Sequence, residues 1–177
     1  MTLTIISGTP GSGKTWLSAH LAKRETKGVH LETDRFFHFL AHRIDPSVPT
    51  AHAQNLTVVR AYTSAALAYS DGGYAVYLDG VIGPWMLNQV RALVPHFDYV
   101  LLHASLDTVL ARAARRPRQR SATEDVIRRM HAQFEGVLEA YRSHVIDTDG
   151  KSIAQVVDEY QTAKERSALL MSFENSA

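Results

Sequence analysis

The sequence predicts an α/β fold built from parallel βαβ units, and two observations predict it. Short apolar runs bounded by turn residues alternate with longer stretches of helical periodicity throughout the 177 residues. That pattern arises when a helix carries the chain back so that successive strands run the same way. The first apolar run, "LTIIS", also passes directly into "GTPGSGKT", where Gly8, Gly11 and Gly13 precede Lys14 and Thr15. Clustered glycine weakens strand and helix alike, so its place between the two marks a loop with a special task.

Taken in order, strands are expected at 3–7, 29–32, 74–79, 99–104 and 144–147. The first helix should run from about Gly13 to Arg24 and stop before Gly28, a helix-ending glycine. Residues 35–70 read as mostly helical, broken around "DPSVPT" because Pro46 and Pro49 disfavour continuation. Pro84 suits a helix start before "WMLNQVRALV", and Ser105 can cap the helix "LDTVLARAARR", which Pro117 ends. Ser121 with Glu124 and Ser152 with Gln155 have capping-box spacing, which predicts helices over 122–143 and 153–171. The terminal "SFENSA" is expected to fray.

Composition narrows the class. The length suits one domain over 1–177 with a substantial core. Nineteen Lys and Arg against 18 Asp and Glu leave a net charge of +1, so nothing global draws the chain to nucleic acid or an anionic membrane. The absence of cysteine excludes disulfides and thiolate chemistry. No apolar run reaches membrane-spanning length, and the opening strand lacks a signal peptide's basic start, so a cytoplasmic protein is expected. His38 and His42 stand four apart on an expected helix, but no H-E-x-x-H accompanies them.

The chemistry begins at the glycine loop. Gly8, Thr9, Pro10, Gly11, Ser12, Gly13, Lys14 and Thr15 fit the Walker A pattern G-x-x-x-x-G-K-[ST], in the strand-to-helix setting that the motif requires. Backbone N–H groups of such a loop curl around phosphate oxygens, helped by the open N–H groups of the helix start. Lys14 then reaches the β and γ phosphates, and Thr15 can ligate Mg²⁺. ATP and Mg²⁺ are the ligands this predicts.

Other residues must decide the fate of the phosphate. Ligands of open parallel sheets lie beyond the carboxyl ends of the strands, which points to Glu32 and Asp34 after the second strand and Asp79 after the third. Asp34 is the candidate general base for an acceptor hydroxyl, its alternative being a helix cap. Asp79 closes the apolar run "AVYLD" as a Walker B aspartate would and can hold Mg²⁺; an Asp-Gly turn is its other reading. Phe36, Phe37 and Phe39 read as core rather than pocket wall. "ARAARRPRQRSA" concentrates Arg112, Arg115, Arg116, Arg118 and Arg120 beside a proline, as a phosphate-clamping lid over about 112–122 would.

With "GTPGSGKT", "ETD" after the second strand and "RAARRPRQR" in place, the sequence resembles the small P-loop kinases, the group of shikimate kinase, gluconate kinase and the chloramphenicol phosphotransferase-like proteins. The resemblance implies a three-layer α/β/α fold with a five-stranded parallel sheet of order 2-3-1-4-5. It implies an ATP-dependent phosphotransferase acting on a hydroxyl of a small metabolite or antibiotic, working as a monomer or homodimer. Asp34 takes the base position of the chloramphenicol phosphotransferase-like group, and Glu32 stands where shikimate kinases carry a metal-linked aspartate. Arg112 would pack near adenine, Arg116 or Arg120 would meet phosphate, and Asp147 to Lys151 would border the base. The helical segment 35–70 would bind the acceptor, although "DGVIGPW" replaces the glycine triplet of shikimate kinases. Two rivals keep the loop: a polynucleotide 5′-hydroxyl kinase, suggested by adjacent Asp34 and Arg35, and a nucleotide-dependent switch that hydrolyses ATP slowly.

Overall fold

The computed structural model describes residues 2–46, 48–115 and 122–171. Its strands are β1 (Thr2–Gly8), β2 (Gly28–Glu32), β3 (Ala75–Asp79), β4 (Phe97–His103), β5 (Val145–Asp147) and β6 (Leu170–Met171). Its helices are α1 (Lys14–Arg24), α2 (Thr33–His38), α3 (His52–Asp71), α4 (Leu87–Arg91), α5 (Leu106–Ala114), α6 (Glu124–Glu135) and α7 (Ile153–Glu165).

The sheet runs β2-β3-β1-β4-β5 with every pair parallel, which is the expected order. Strand alternation divides its side chains between two layers. Leu3 and Ile5 of β1, Val76 and Leu78 of β3, and Tyr99 and Leu101 of β4 pack with Val58, Val59 and Tyr62 of α3. On the other face Ile6, Tyr77, Val100 and Leu102 pack with Leu17 and Leu21 of α1 and Val156, Val157 and Tyr160 of α7. Both faces are therefore covered, which is why the central strands read as unbroken apolar runs. No helix among the described residues is long and apolar enough to cross a membrane.

Three expected helices are corrected. The one over 153–171 ends at Glu165; Ser167 turns with φ of 55°, and Leu170–Met171 then pairs antiparallel with the start of β4. Leu169 is fully buried and Leu170 is 44% exposed, a two-residue alternation hidden inside an apolar run that also fits a helix. The helix over 122–143 is only Glu124–Glu135, with Thr123 at its N-cap; Ser121 lies outside the described residues, as do residues 172–177. Pro84 opens a single 3₁₀ turn, Pro84–Met86, before a short α4.

Residues 35–70 divide as the prolines require. α2 stops at His38, so His38 and His42 do not share a helix. The irregular stretch is tied back to α3, where Gln54 bonds both the N–H and the carbonyl of Ile44 at 2.8 and 2.9 Å and Asn55 Nδ2 donates to the carbonyl of Pro46 at 2.8 Å. Phe36 and Phe37 pack against the core as expected, whereas Phe39 is 77% exposed. Ser105 and Ser152 both cap their helices, and Ser152 with Gln155 completes a capping box.

Candidate active site

At the carboxyl end of β1 the chain turns through Gly8, Gly11 and Gly13 with φ of 137°, 100° and 103°, a region that side chains resist. Space forbids a side chain at two of them as well. A β-carbon on Gly8 would meet the carbonyl oxygen of Leu102, and one on Gly11 would lie 2.7 Å from the carbonyl oxygen of Val109. The loop thus lies against the backbones of β4 and α5 and is closed by a bond from the Ser12 N–H to the Thr9 carbonyl at 3.0 Å.

Gly13 is the N-cap of α1, with no side-chain cap and no acidic residue in the first turn. The N–H groups there keep their positive potential uncancelled by any carboxylate of the turn itself. Ser12 Oγ, fully buried, has no hydrogen-bond partner among the described residues. Lys14 is buried and its Nζ donates to the Thr9 carbonyl at 3.0 Å, so the ammonium is folded over the loop itself. An orphaned hydroxyl, a buried ammonium and a glycine turn pressed against the sheet at an open helix start make a fit for a polyphosphate.

The helix start is tied to the third strand. Thr15 Oγ1 donates to Asp79 Oδ2 at 2.7 Å, and Asp79 is only 4% exposed. Its other oxygen, Oδ1, accepts from His30 Nε2 at 2.6 Å. His30 is a residue that sequence reading misses. Only strand pairing reveals it: β2 alternation places His30 on the same face as Glu32, and the β2–β3 register sets His30 opposite Tyr77, two residues before Asp79. Hydroxyl, carboxylate and imidazole at one strand end offer the hard oxygen donors that Mg²⁺ prefers, with the imidazole holding the carboxylate in place.

Asp34 lies in the first turn of α2, directly after β2, and it is not the cap: Glu32 occupies that position and makes no side-chain cap bond. The side chain is solvent-accessible, yet protein crowds it enough that desolvation pushes its pKa above the usual carboxylate range. Asp79 and Glu32 raise it further, while Lys14 and His38 pull it down. These couplings put Asp34 in the electrostatic company of the loop lysine and the β3 aspartate. Glu32, by contrast, is engaged by Arg35, whose Nε and Nη2 both donate to Oε1 at 3.0 and 2.7 Å.

The turn after β3 is fitted closely to α2. A β-carbon on Gly80 would meet Thr33 Oγ1 and approach Thr33 Cβ to 3.0 Å, and Thr33 is buried. Gly80→Ala is therefore expected to lose about 1–3 kcal/mol by displacing Thr33, read as a lower urea midpoint at unchanged slope. A midpoint equal to that of the wild type would show that the two turns can part without cost.

Arg112, near the end of α5, reaches across to the β5–α7 loop. Nη1 donates to Thr148 Oγ1 at 2.9 Å and Nη2 to the Thr148 carbonyl at 2.8 Å. Thr148 Oγ1 also lies 3.4 Å from the Ser12 carbonyl, so the arginine, the β5–α7 loop and the glycine loop form one chain of contacts. Arg116 and Arg120 lie outside the described residues, as does Arg118. Two open clefts, about 390 and 270 Å³, lie around Lys27 and Tyr74 and around Tyr77 and Tyr160, and neither is lined by Asp34.

A sheet of this order with a glycine loop closing its first strand has the fold of the small P-loop kinases. The chain belongs to the AAA domain family AAA_33, whose profile it matches over residues 3–137. Among solved structures, a sugar kinase from Janibacter sp. HTCC2649 superposes with TM-score 0.69 at 15% identity, over 93% of this chain and 95% of that one. A gluconokinase from Sinorhizobium meliloti 1021 does so with TM-score 0.69 at 15% identity, over 94% and 93%. The Mycobacterium tuberculosis APS kinase CysC, in complex with AMPPNP and APS, gives 0.62 at 14% identity, over 93% and 97%. At such identities the likeness is one of fold. No curated protein matches the chain in sequence.

Proposed function

We propose that the chain is an ATP-dependent phosphotransferase that moves the γ-phosphoryl group to a hydroxyl of a small metabolite or antibiotic, acting as one domain over residues 1–177. The observation that carries this reading is the tie between the glycine loop's helix and the β3 carboxylate, Thr15 Oγ1 to Asp79 Oδ2 at 2.7 Å, at the same sheet end as α2, whose first turn carries Asp34. A carboxylate besides the metal-linked one is the group that would orient an attacking hydroxyl and take its proton.

In this mechanism the loop backbone from Gly8 to Gly13 holds the phosphates, Ser12 Oγ finds its partner there, and Lys14 leaves the Thr9 carbonyl for the β and γ oxygens. Mg²⁺, when bound, would neutralise charge between those oxygens, and Thr15 and Asp79 are the residues to hold it, with Glu32 nearby. Asp34 orients the acceptor hydroxyl and takes its proton as the new P–O bond forms. Arg112 supports the adenine edge through Thr148, Arg116 or Arg120 is the candidate to meet the transferring group, and the segment 35–70 takes the acceptor. Support for this reading comes from the fold shared with sugar kinase, gluconokinase and APS kinase structures.

Incubating the protein with γ-labelled ATP, Mg²⁺ and pooled small hydroxyl compounds should yield a labelled organic product. Release of inorganic phosphate alone, in every pool, would overturn the assignment. A polynucleotide 5′-hydroxyl kinase is the second reading, because a chain of the Pnkp1/Rnl/Hen1 RNA repair complex superposes with TM-score 0.63 on 78% of this chain and 45% of its own. Steep salt dependence of oligonucleotide binding would favour it.

His30 supplies a further prediction. His30→Ala removes one of the two bonds on Asp79 and should weaken Mg²⁺ activation roughly 10- to 100-fold, the loss typical of outer partners, with ATP binding in the absence of metal unchanged. His30→Gln, which can still donate, should recover part of the loss. An unaltered Mg²⁺ requirement in the alanine variant would remove His30 from the site.

A further inference from the structure

We propose that His103, His131 and Glu135 form a binding site for one divalent transition-metal ion of the Zn²⁺ type, at the junction of β4 and α6. None of the three belongs to the site described above, and the inference does not depend on the kinase reading.

The site follows from how α6 is anchored. Ile127 and Phe134 are each 2% exposed, and they fix which face of the helix turns inward. His131, four residues after Ile127, is only 12% exposed, while Glu135, eight after it, lies at the edge of that stripe and is 45% exposed. The glutamate finds a partner at that edge. The partner is His103, the last residue of β4, whose Nε2 lies 2.7 Å from Glu135 Oε1. His131 Nε2 lies 3.5 Å from the same oxygen, and the imidazole centroids are 5.9 Å apart.

One ligand atom from each residue falls within 4.8 Å of the others. Tetrahedral zinc with nitrogen and oxygen ligands at about 2.0–2.1 Å sets its donors roughly 3.3 Å apart, which lies inside this spread. Two imidazoles and one carboxylate suit zinc, cobalt or nickel, whereas Mg²⁺ and Ca²⁺ prefer oxygen alone.

His103 Nε2–H donates to Glu135 Oε1, and Nδ1, on the far side of the ring, lies 3.9 Å from Asp147 Oδ1. Moving the ring proton to Nδ1 frees the Nε2 lone pair for the cluster and points the N–H toward a second carboxylate, as in carboxylate–histidine–zinc arrangements. His131 Nε2 is 3.0 Å from the Ala104 carbonyl, and the proton it places there is the one an ion must displace. For each neutral ring, ligation through Nε2 needs the proton moved to Nδ1; for a protonated ring it releases one proton to solvent. The charge balance is also suitable, since an ion would join one ligating carboxylate and a second behind it.

The test is calorimetric titration of the untagged full-length chain with Zn²⁺ in excess Mg²⁺, with Co²⁺ as a spectroscopic substitute. One ion per chain should bind, and Co²⁺ should give the intense visible bands of a tetrahedral site. His103→Ala and Glu135→Gln should each abolish the stoichiometric step, Asp147→Asn should weaken it roughly tenfold, and His52→Ala, at an exposed histidine elsewhere, should leave it intact. Binding that survives in the His103→Ala, Glu135→Gln double variant overturns the assignment. Should those variants fail to fold, the wild type alone decides: no saturable Zn²⁺ step, or a weak octahedral Co²⁺ spectrum, also overturns it.

Discussion

Replacing Asp34 by asparagine is expected to slow phosphoryl transfer by roughly 10²- to 10⁴-fold, the usual contribution of a positioned general base, while ATP affinity stays within a few-fold of wild type. The split follows from position. Asp34 belongs to the first turn of α2, whereas the phosphate cradle is built by the β1–α1 loop. Asparagine keeps the shape and can still hold a hydroxyl, but it cannot take the proton. Stability supplies the control. Burial raises the Asp34 pKa in the folded chain, so the folded state binds this proton more tightly than the unfolded state does. The contribution is greatest below the unfolded value and is lost as pH rises through the folded one. At neutral pH the ionised carboxylate opposes folding, and Asp34→Asn should melt no lower than wild type. Its melting advantage should close as the pH is lowered into the carboxylate range. Transfer at the wild-type rate would take Asp34 out of the mechanism, and a marked drop in melting temperature at pH 7 would mean the carboxylate is structural.

Lys14→Ala is expected to be nearly as severe, lowering turnover by roughly 10²- to 10³-fold, as removal of a preorganised charge-stabilising donor does. Here binding should suffer too, because Lys14 supplies the ammonium at the loop and its Nζ rests on the Thr9 carbonyl, ready to turn to phosphate. The alanine variant leaves that carbonyl without this donor, so its glycine loop should also exchange amide protons faster. Lys14→Arg keeps the charge but not the compact ammonium, and it should recover little activity. Measuring ATP affinity separately from turnover distinguishes the cases. Loss of affinity with turnover preserved at saturating ATP would make Lys14 a binding residue alone.

The two carboxylates could be found in the same way. Asp79 and Asp34 each stand at the carboxyl end of a strand legible from its apolar run, and strand ends are where ligands of parallel sheets collect. His30 and His103 carry no such mark. Each becomes meaningful only through a residue far along the chain, Asp79 in one case and Glu135 in the other. Arg112 was legible as part of an arginine-rich stretch, but its attachment to Thr148 was not. The helix end misread in residues 153–171 fails for a related cause: a helical period can continue on paper after the chain has turned to pair with a strand.

By itself the sequence determined what is local. Glycine spacing, the lysine and hydroxyl at a helix start, the capping serines at 105 and 152, and the alternation of apolar runs with helical ones all act over a few residues. Backbone sterics and hydrogen bonding settle such features before any distant contact forms. Tertiary structure decided which side chains meet: the imidazole that holds Asp79, the loop that receives Arg112, the strand that ends the chain's last helix, and the histidine pair beside Glu135. These depend on register between strands and on the rotation of helices over the sheet, and packing of the whole core sets both.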